Sequence, residues 1–181
     1  MQFVATKIAG AFAVRHDVRS DGRGRFKRQY CEREFAGAGL NTRWVQVNHS
    51  VTVGAGSVRG LHYQRPPSAE VKLVSCPVGR AFDVAVDLRK GSPTFLQWTA
   101  VDIDDATSFY IPKGCAHGFQ ALSEELHLIY QHSAYYNPEA EAGIRFDDPA
   151  LDILWPLPIG TTSDRDRSFP PIDSNFEGIE L

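Results

Sequence analysis

A guanidinium, an imidazole and an ammonium fall close together in two mostly apolar segments, Arg59-Gly60-Leu61-His62-Tyr63-Gln64 and Lys72-Leu73-Val74. A strand aimed only at a core would not collect three such groups. Together they suit a site that holds an anion, removes a proton and stabilises the negative charge that results. An imidazole titrates near neutrality, at about 6.5 when unperturbed, which makes His62 the candidate general base. Lys72 is the candidate cation for a developing oxyanion. In a strand, His62 and Gln64 share a face, and Lys72 points with Val74 and Cys76. Arg59 belongs on the opposite face of a regular strand from His62, unless Gly60 permits a bulge or Arg59 sits at the strand's mouth.

Other groups are less specific. Ile111-Pro112-Lys113-Gly114-Cys115-Ala116-His117-Gly118-Phe119 looks like the second cupin motif, whose histidine binds the ion in metal cupins. The first cupin motif supplies two further histidines and a glutamate. Here that stretch holds only His62, with Gln64 where a second histidine would stand, so no metal is expected. Tyr130 ends an apolar strand and is followed by Tyr135 and Tyr136, a group able to supply a proton donor and a stacking surface. Ser163-Asp164-Arg165-Asp166-Arg167 reads as a solvated charged loop, or as a tail that folds back so that Asp166 orients His62 and Arg165 holds phosphate. Asp21-Gly22-Arg23-Gly24-Arg25-Phe26 could hold a diphosphate through Arg23 and a base through Phe26, but it lacks the P-loop pattern. Cys31, Cys76 and Cys115 show no CxxC spacing and read as reduced thiols, Cys115 lying near any pocket around His117.

The elements that must position these groups are strands. Short apolar and β-branched runs recur between turn residues: Arg43 to Val47, Val71 to Cys76, Ala81 to Leu88, Phe95 to Val101, Thr107 to Ile111 and Leu126 to Gln131. That spacing predicts an all-β sandwich or barrel. Short helices are predicted over Cys31 to Ala36 and from Pro138 to Ala142, and the tail after Trp155 is expected to wrap the barrel. The 181 residues carry a formal net charge of -3. They suit one domain, residues 1–181, and give no basic field for nucleic acid. No apolar run is long enough for a membrane span, and the N-terminus lacks the pattern of a secretory signal, so a cytoplasmic location is expected.

In order along the chain, these segments resemble the dTDP-4-dehydrorhamnose 3,5-epimerase family. The match runs from Asp21-x-Arg23-Gly24-x-Phe26 through Gln46-Val47-Asn48-His49-Ser50, Arg59 to Gln64, Lys72-Leu73-Val74 and Phe82 to Arg89. It continues through Ala116-His117-Gly118-Phe119 and Tyr135-Tyr136-Asn137-Pro138 to Ser163-Asp164-Arg165-Asp166. The resemblance implies a cupin-type jelly roll, a homodimer, a nucleotide-linked 4-keto-6-deoxyhexose as substrate, and no metal or organic cofactor. By position His62 matches the family's base, Tyr130 its proton donor and Asp166 the carboxylate paired with the histidine. Lys72 and His117 match residues around the sugar. Arg23, Gln46, Asn48, Arg59, Glu141 and Arg165 fall at or near binding positions, and Phe26 and Tyr136 match aromatics near the nucleotide. Two residues depart from the pattern: Arg28 stands where Glu is common, and Glu70 where Gln is common.

The residue chemistry fits that activity. A ketone at C4 acidifies the C–H bonds at C3 and C5. A base on one face and a donor on the other invert such a centre, which one base alone would not do. The alternatives are a ketoisomerase on the same fold, a non-catalytic nucleotide-sugar binding module, and a metal-dependent cupin oxygenase.

Overall fold

Alternating apolar and polar residues build most of the chain into strands. In the computed structural model, which describes residues 1–181, the chain opens with β1 (Gln2–Ala5) and β2 (Phe12–Arg15). The hairpin β3 (Val18–Asp21) and β4 (Gly24–Lys27) and a short helix α1 (Glu32–Gly37) come next. Then follow β5 (Gln46–Val53), β6 (Val58–Gln64), β7 (Lys72–Val78), β8 (Ala81–Asp87), β9 (Trp98–Ile103), β10 (Thr107–Ile111), β11 (Cys115–Ala121) and β12 (Glu125–His132). A three-residue strand β13 (Glu141–Gly143) and a helix α2 (Asp164–Ser168) complete it.

A six-stranded sheet in the order β1-β2-β10-β7-β12-β5 faces a five-stranded sheet in the order β13-β6-β11-β8-β9. Every pairing within them is antiparallel. The β3–β4 hairpin stands apart. This is the all-β architecture that the strand spacing predicts and the cupin-type jelly roll that the family resemblance implies, with two short helices at its periphery.

The interior-facing rows change character along each strand, and that change makes the site. On β12 the inward row runs Leu126, Leu128, Tyr130, His132; on β7 it runs Cys76, Val74, Lys72. The register pairs Tyr130 with Val74 and His132 with Lys72. At the apolar end Val74, Cys76, Phe109, Leu126 and Leu128 of one sheet pack on Ala85, Ile103 and Phe119 of the other. Each large side chain buried there is worth about 1.5–3 kcal/mol of transfer free energy. At the other end the same rows present charge and hydroxyl groups to each other.

Outer layers brace the sheets. Leu61, Val84, Val86 and Ala116 on the outer face of the five-stranded sheet are covered by Ile144 and Leu151 from the segment after β13 and by Ile179 from the tail. Phe35 of α1 packs on Leu73 and Tyr110 behind the six-stranded sheet.

Several boundaries differ from the sequence reading. The strand expected at Arg43 to Val47 begins at Gln46 and runs on to Val53, and that expected at Phe95 to Val101 lies at Trp98–Ile103, after a turn in which Leu96 has φ of 60°. The helix expected from Pro138 to Ala142 is a single turn. The Asn137 carbonyl accepts from the amides of Ala140 and Glu141, and pairing of Glu141–Gly143 with β6 then draws the chain into β13.

Candidate active site

The polar end of the barrel holds a cavity of about 310 Å³, walled by both sheets. β6 contributes Arg59 and His62 to it, although a regular strand would turn them to opposite faces. A bulge resolves this. His117 pairs with His62 and Phe119 with Arg59, so two steps on β11 span three on β6. Gly60 has φ of 120°, and a Cβ there would lie 2.6 Å from the Gly118 Cα. Only glycine fits, and the bulge re-aims Arg59 into the cavity as its sequence neighbours suggested.

His62 Nε2 lies 2.7 Å from Asp166 Oδ1, and Asp166 Oδ2 accepts from the Gly60 amide at 3.0 Å. The tail therefore does fold back. Ser163 caps α2 by accepting from the Asp166 amide, which presents that carboxylate to β6. Burial alone would raise the Asp166 pKa, but hydrogen bonds from His62 and Gly60 hold it below the ordinary carboxylate value. A carboxylate only accepts, so Nε2 carries the ring's proton and Nδ1 is left as the basic nitrogen.

Across from His62, Tyr130 lines the same cavity from the six-stranded sheet. Burial pushes its phenol well above the usual value, so it stays protonated as a donor. Ser50 lies 3.4 Å from its hydroxyl. Lys72 Nζ donates to the His62 carbonyl at 3.2 Å and lies 3.4 Å from Glu70 Oε1. His117 Nε2 meets Asp83 Oδ1 at 2.6 Å. Burial pushes the Asp83 carboxyl up and the His117 imidazole down, both away from the ion pair.

The mouth is polar. Arg165 pairs with Glu141 at 2.7 Å, and the Tyr136 hydroxyl donates to the same carboxylate at 2.7 Å. Burial works against the Glu141 charge, but Tyr136 and Arg165 outweigh it and lower its pKa. Gln46 accepts from the Tyr136 amide and donates to Asn48. The structure thus brings together His62, Tyr130, Lys72, Arg59, His117, Asn48, Tyr136 and Glu141 as lining, with Asp166, Arg165 and Gln46 bonded to that lining. It does not bring in Arg23 or Phe26. Both sit on the β3–β4 hairpin, around a separate surface concavity, where Arg23 pairs with Asp21 at 2.6 Å. Cys115 lies outside the cavity lining, and burial pushes its thiol up to about 12.

Among the lining residues that the sequence reading did not assign as site residues are Ser50, Glu70 and His132. Each stands two positions from one that was singled out, Asn48, Lys72 and Tyr130. The period-2 rule puts Ser50 with Asn48 on β5 and His132 with Tyr130 on β12, while Glu70 lies just before β7. No cluster of three His, Cys, Asp or Glu side chains has a metal-binding arrangement.

The family model for dTDP-4-dehydrorhamnose 3,5-epimerase matches residues 5–174. The chain is 42% identical over 179 residues to the dTDP-4-dehydrorhamnose 3,5-epimerase of Methanothermobacter thermautotrophicus, covering 96% of each. It is similar to the crystal structure of a dTDP-6-deoxy-D-glucose-3,5-epimerase from Legionella pneumophila in complex with dTDP-4-keto-L-rhamnose. That match has a TM-score of 0.90 and 36% identity, over 98% of this chain and 97% of the other. A 3'-monoepimerase from Streptomyces bikiniensis, solved with dTDP-quinovose, superposes with a TM-score of 0.86 at 35% identity, over 92% of this chain and 85% of that one.

Proposed function

The chain belongs to the dTDP-4-dehydrorhamnose 3,5-epimerase family, and on that premise we propose that His62 and Tyr130 invert C3, C5 or both in a dTDP-linked 4-keto-6-deoxyhexose. The protein is an isomerase. The observation that carries the residue roles is that His62 and Tyr130 enter one cavity from opposite sheets, with Lys72 lining it as well.

The chemistry follows from those positions. His62 Nδ1 takes the proton from carbon beside the ketone, while Asp166 holds the ring and offsets the charge it gains. Electron density moves to the C4 oxygen, where the Lys72 ammonium stabilises it. Tyr130 returns a proton to the opposite face of the same carbon, which inverts it. His117, kept neutral by burial, contributes a polar wall beside the sugar. Arg59 and Arg165 supply cations for the diphosphate, with Asn48, Gln46 and Glu141 as polar contacts. Tyr136, half-exposed at the mouth, offers a face for the base. Exchange with solvent then removes the proton from His62 and returns one to Tyr130, so the cycle closes by proton transfers alone and needs no cofactor.

We extend the proposal to a homodimer of single-domain chains, residues 1–181, in the cytoplasm. No helix is long and apolar enough to cross a membrane. β5, one edge of the six-stranded sheet, exposes Val47, Val51 and Val53, the last at 74%. Phe26 is 73% exposed on its hairpin. The family resemblance puts Arg23 and Phe26 at the nucleotide, yet their own chain holds them outside its cavity. A second copy lending its hairpin reconciles the two, and light scattering in solution tests the assembly.

The decisive experiment is incubation with dTDP-4-keto-6-deoxyglucose in deuterated water, followed by NMR of the product. Deuterium at inverted C3 or C5 is the expected result. A shifted carbonyl would point to ketoisomerisation. Tight binding without exchange would overturn catalysis.

A further inference from the structure

Glu70 and His132 line the cavity but take no part in the proton transfers assigned above. Their side chains are 7% and 11% exposed. His132 stands opposite Lys72 in the β7–β12 register, with its ring stacked on that of Tyr130 at 6.1 Å and 20°. Its Nδ1 lies 2.8 Å from Glu70 Oε2, and the other oxygen of the same carboxylate lies 3.4 Å from Lys72 Nζ. Glu70 therefore bridges the cation assigned to the C4 oxygen and a second imidazole.

The tautomer follows from the bridge. Burial works against the Glu70 charge, but the hydrogen bond from His132 and the Lys72 cation outweigh it, so the group remains a carboxylate. A carboxylate only accepts, so the proton of a neutral His132 sits on Nδ1 and Nε2 is an acceptor. The hydrogen-bond partner of that nitrogen is the Asn48 amide at 3.4 Å, long for a hydrogen bond. A nearly buried acceptor without a good partner, in a sugar-sized cavity, suits a donor on the ligand.

We infer that His132, oriented by Glu70, accepts a hydrogen bond from the C3 hydroxyl of the hexose and so selects substrates that carry it. This rests on the reading given under Proposed function. In a 4-keto-6-deoxyhexose, C4 is flanked by C3 with its hydroxyl and by C5 with a methyl group and the ring oxygen. Of the substituents on the two carbons flanking C4, only the C3 hydroxyl can donate. With Lys72 at the C4 oxygen, the Glu70 bridge sets His132 beside the neighbouring substituent. Glu70 is a positioning residue for both.

The test compares deuterium incorporation into dTDP-4-keto-6-deoxyglucose and its 3-deoxy counterpart, read at whichever carbon the native enzyme labels. The native protein should prefer the hydroxylated sugar by about tenfold or more, since a site built for a hydroxyl leaves its acceptor unpaired otherwise. His132→Leu should reduce that preference to within about twofold, and His132→Gln, whose amide oxygen accepts, should restore part of it. Full native preference in His132→Leu, or none in the native protein, overturns the inference. If His132→Leu does not fold, Glu70→Gln carries the same test, because a misoriented imidazole should also lose the preference. Native protein that labels neither sugar overturns the epimerase reading itself, whereas labelling without discrimination overturns only this inference.

Discussion

Two imidazole–carboxylate pairs lie side by side across the β6–β11 ladder, where His62 and His117 are register partners. Their lengths hardly differ, at 2.7 Å for His62–Asp166 and 2.6 Å for His117–Asp83. Their surroundings differ greatly. The His62 side chain is 33% exposed and its carboxylate has a second donor in the Gly60 amide. The His117 side chain is 6% exposed, Asp83 is fully buried, and Asp83 Oδ2 has no hydrogen-bond partner. Asp166 is accordingly held ionised and Asp83 pushed towards its neutral form. On the proposed mechanism, the same two residue types make a base able to gain a proton in one setting and a neutral wall in the other. Hydration and a second donor decide which.

If that contrast is right, the largest losses come from the exposed pair. His62→Ala should lower solvent exchange at the substrate carbon by about a thousandfold, within the usual range for a general base. Asp166→Asn should cost about a hundredfold in kcat, because an amide can donate to Nε2 and displace the proton onto Nδ1, the nitrogen that must be free. Asp83→Asn, an isostere of the neutral acid, should cost no more than about tenfold. Single-turnover exchange in deuterated water measures all three. Equal losses in Asp166→Asn and Asp83→Asn would remove the distinction between the pairs.

Tyr130→Phe tests the opposite wall. His62 still removes and returns its own proton, so exchange should persist within about tenfold of native, while the inverted product falls by about a hundredfold. NMR of the recovered sugar separates labelled starting isomer from epimer. Parallel loss of exchange and inversion would mean that Tyr130 does not act as the opposite-face donor.

Much of this was legible in the sequence because strands report their faces every second residue. β7, β8, β10 and β12 follow the alternation closely. The placement of Lys72 with Val74 and Cys76 came from it, and that of Ser50 with Asn48 and of His132 with Tyr130 was available from the same rule. The bulge was legible too, since Gly60 sits between two residues that chemistry wants on one face. The short β1 to β4 carry no such signal: four residues are too few to show a period. The turn at Pro138 was misread because Asn137 starts one helical turn, with its side chain accepting from the Glu139 amide, before pairing with β6 takes over. The α2 helix had a signal in Ser163, a capping residue three positions before Asp166. The charge density around it suggested solvent instead.

The smallest effect is a pH dependence of stability, and it separates the pairs by sign. Asp166 has a folded pKa below its unfolded value of about 3.9, so its contribution is present above that pH and fades as the pH falls through the folded value. Asp166→Asn should therefore be less stable than native by about 1–3 kcal/mol at pH 7, and the gap should narrow below about pH 4. Asp83 is raised, so the unfolded chain gives up its proton first and ionisation costs folded stability as the pH climbs above about 4. Asp83→Asn should stay within about 1 kcal/mol of native at pH 4 and gain on it towards pH 7. Urea unfolding of the three proteins at both pH values reads these slopes. A gap that widens towards neutrality for Asp83→Asn, in the destabilising direction, would mean that the buried pair is ionised and that burial alone does not set its charge.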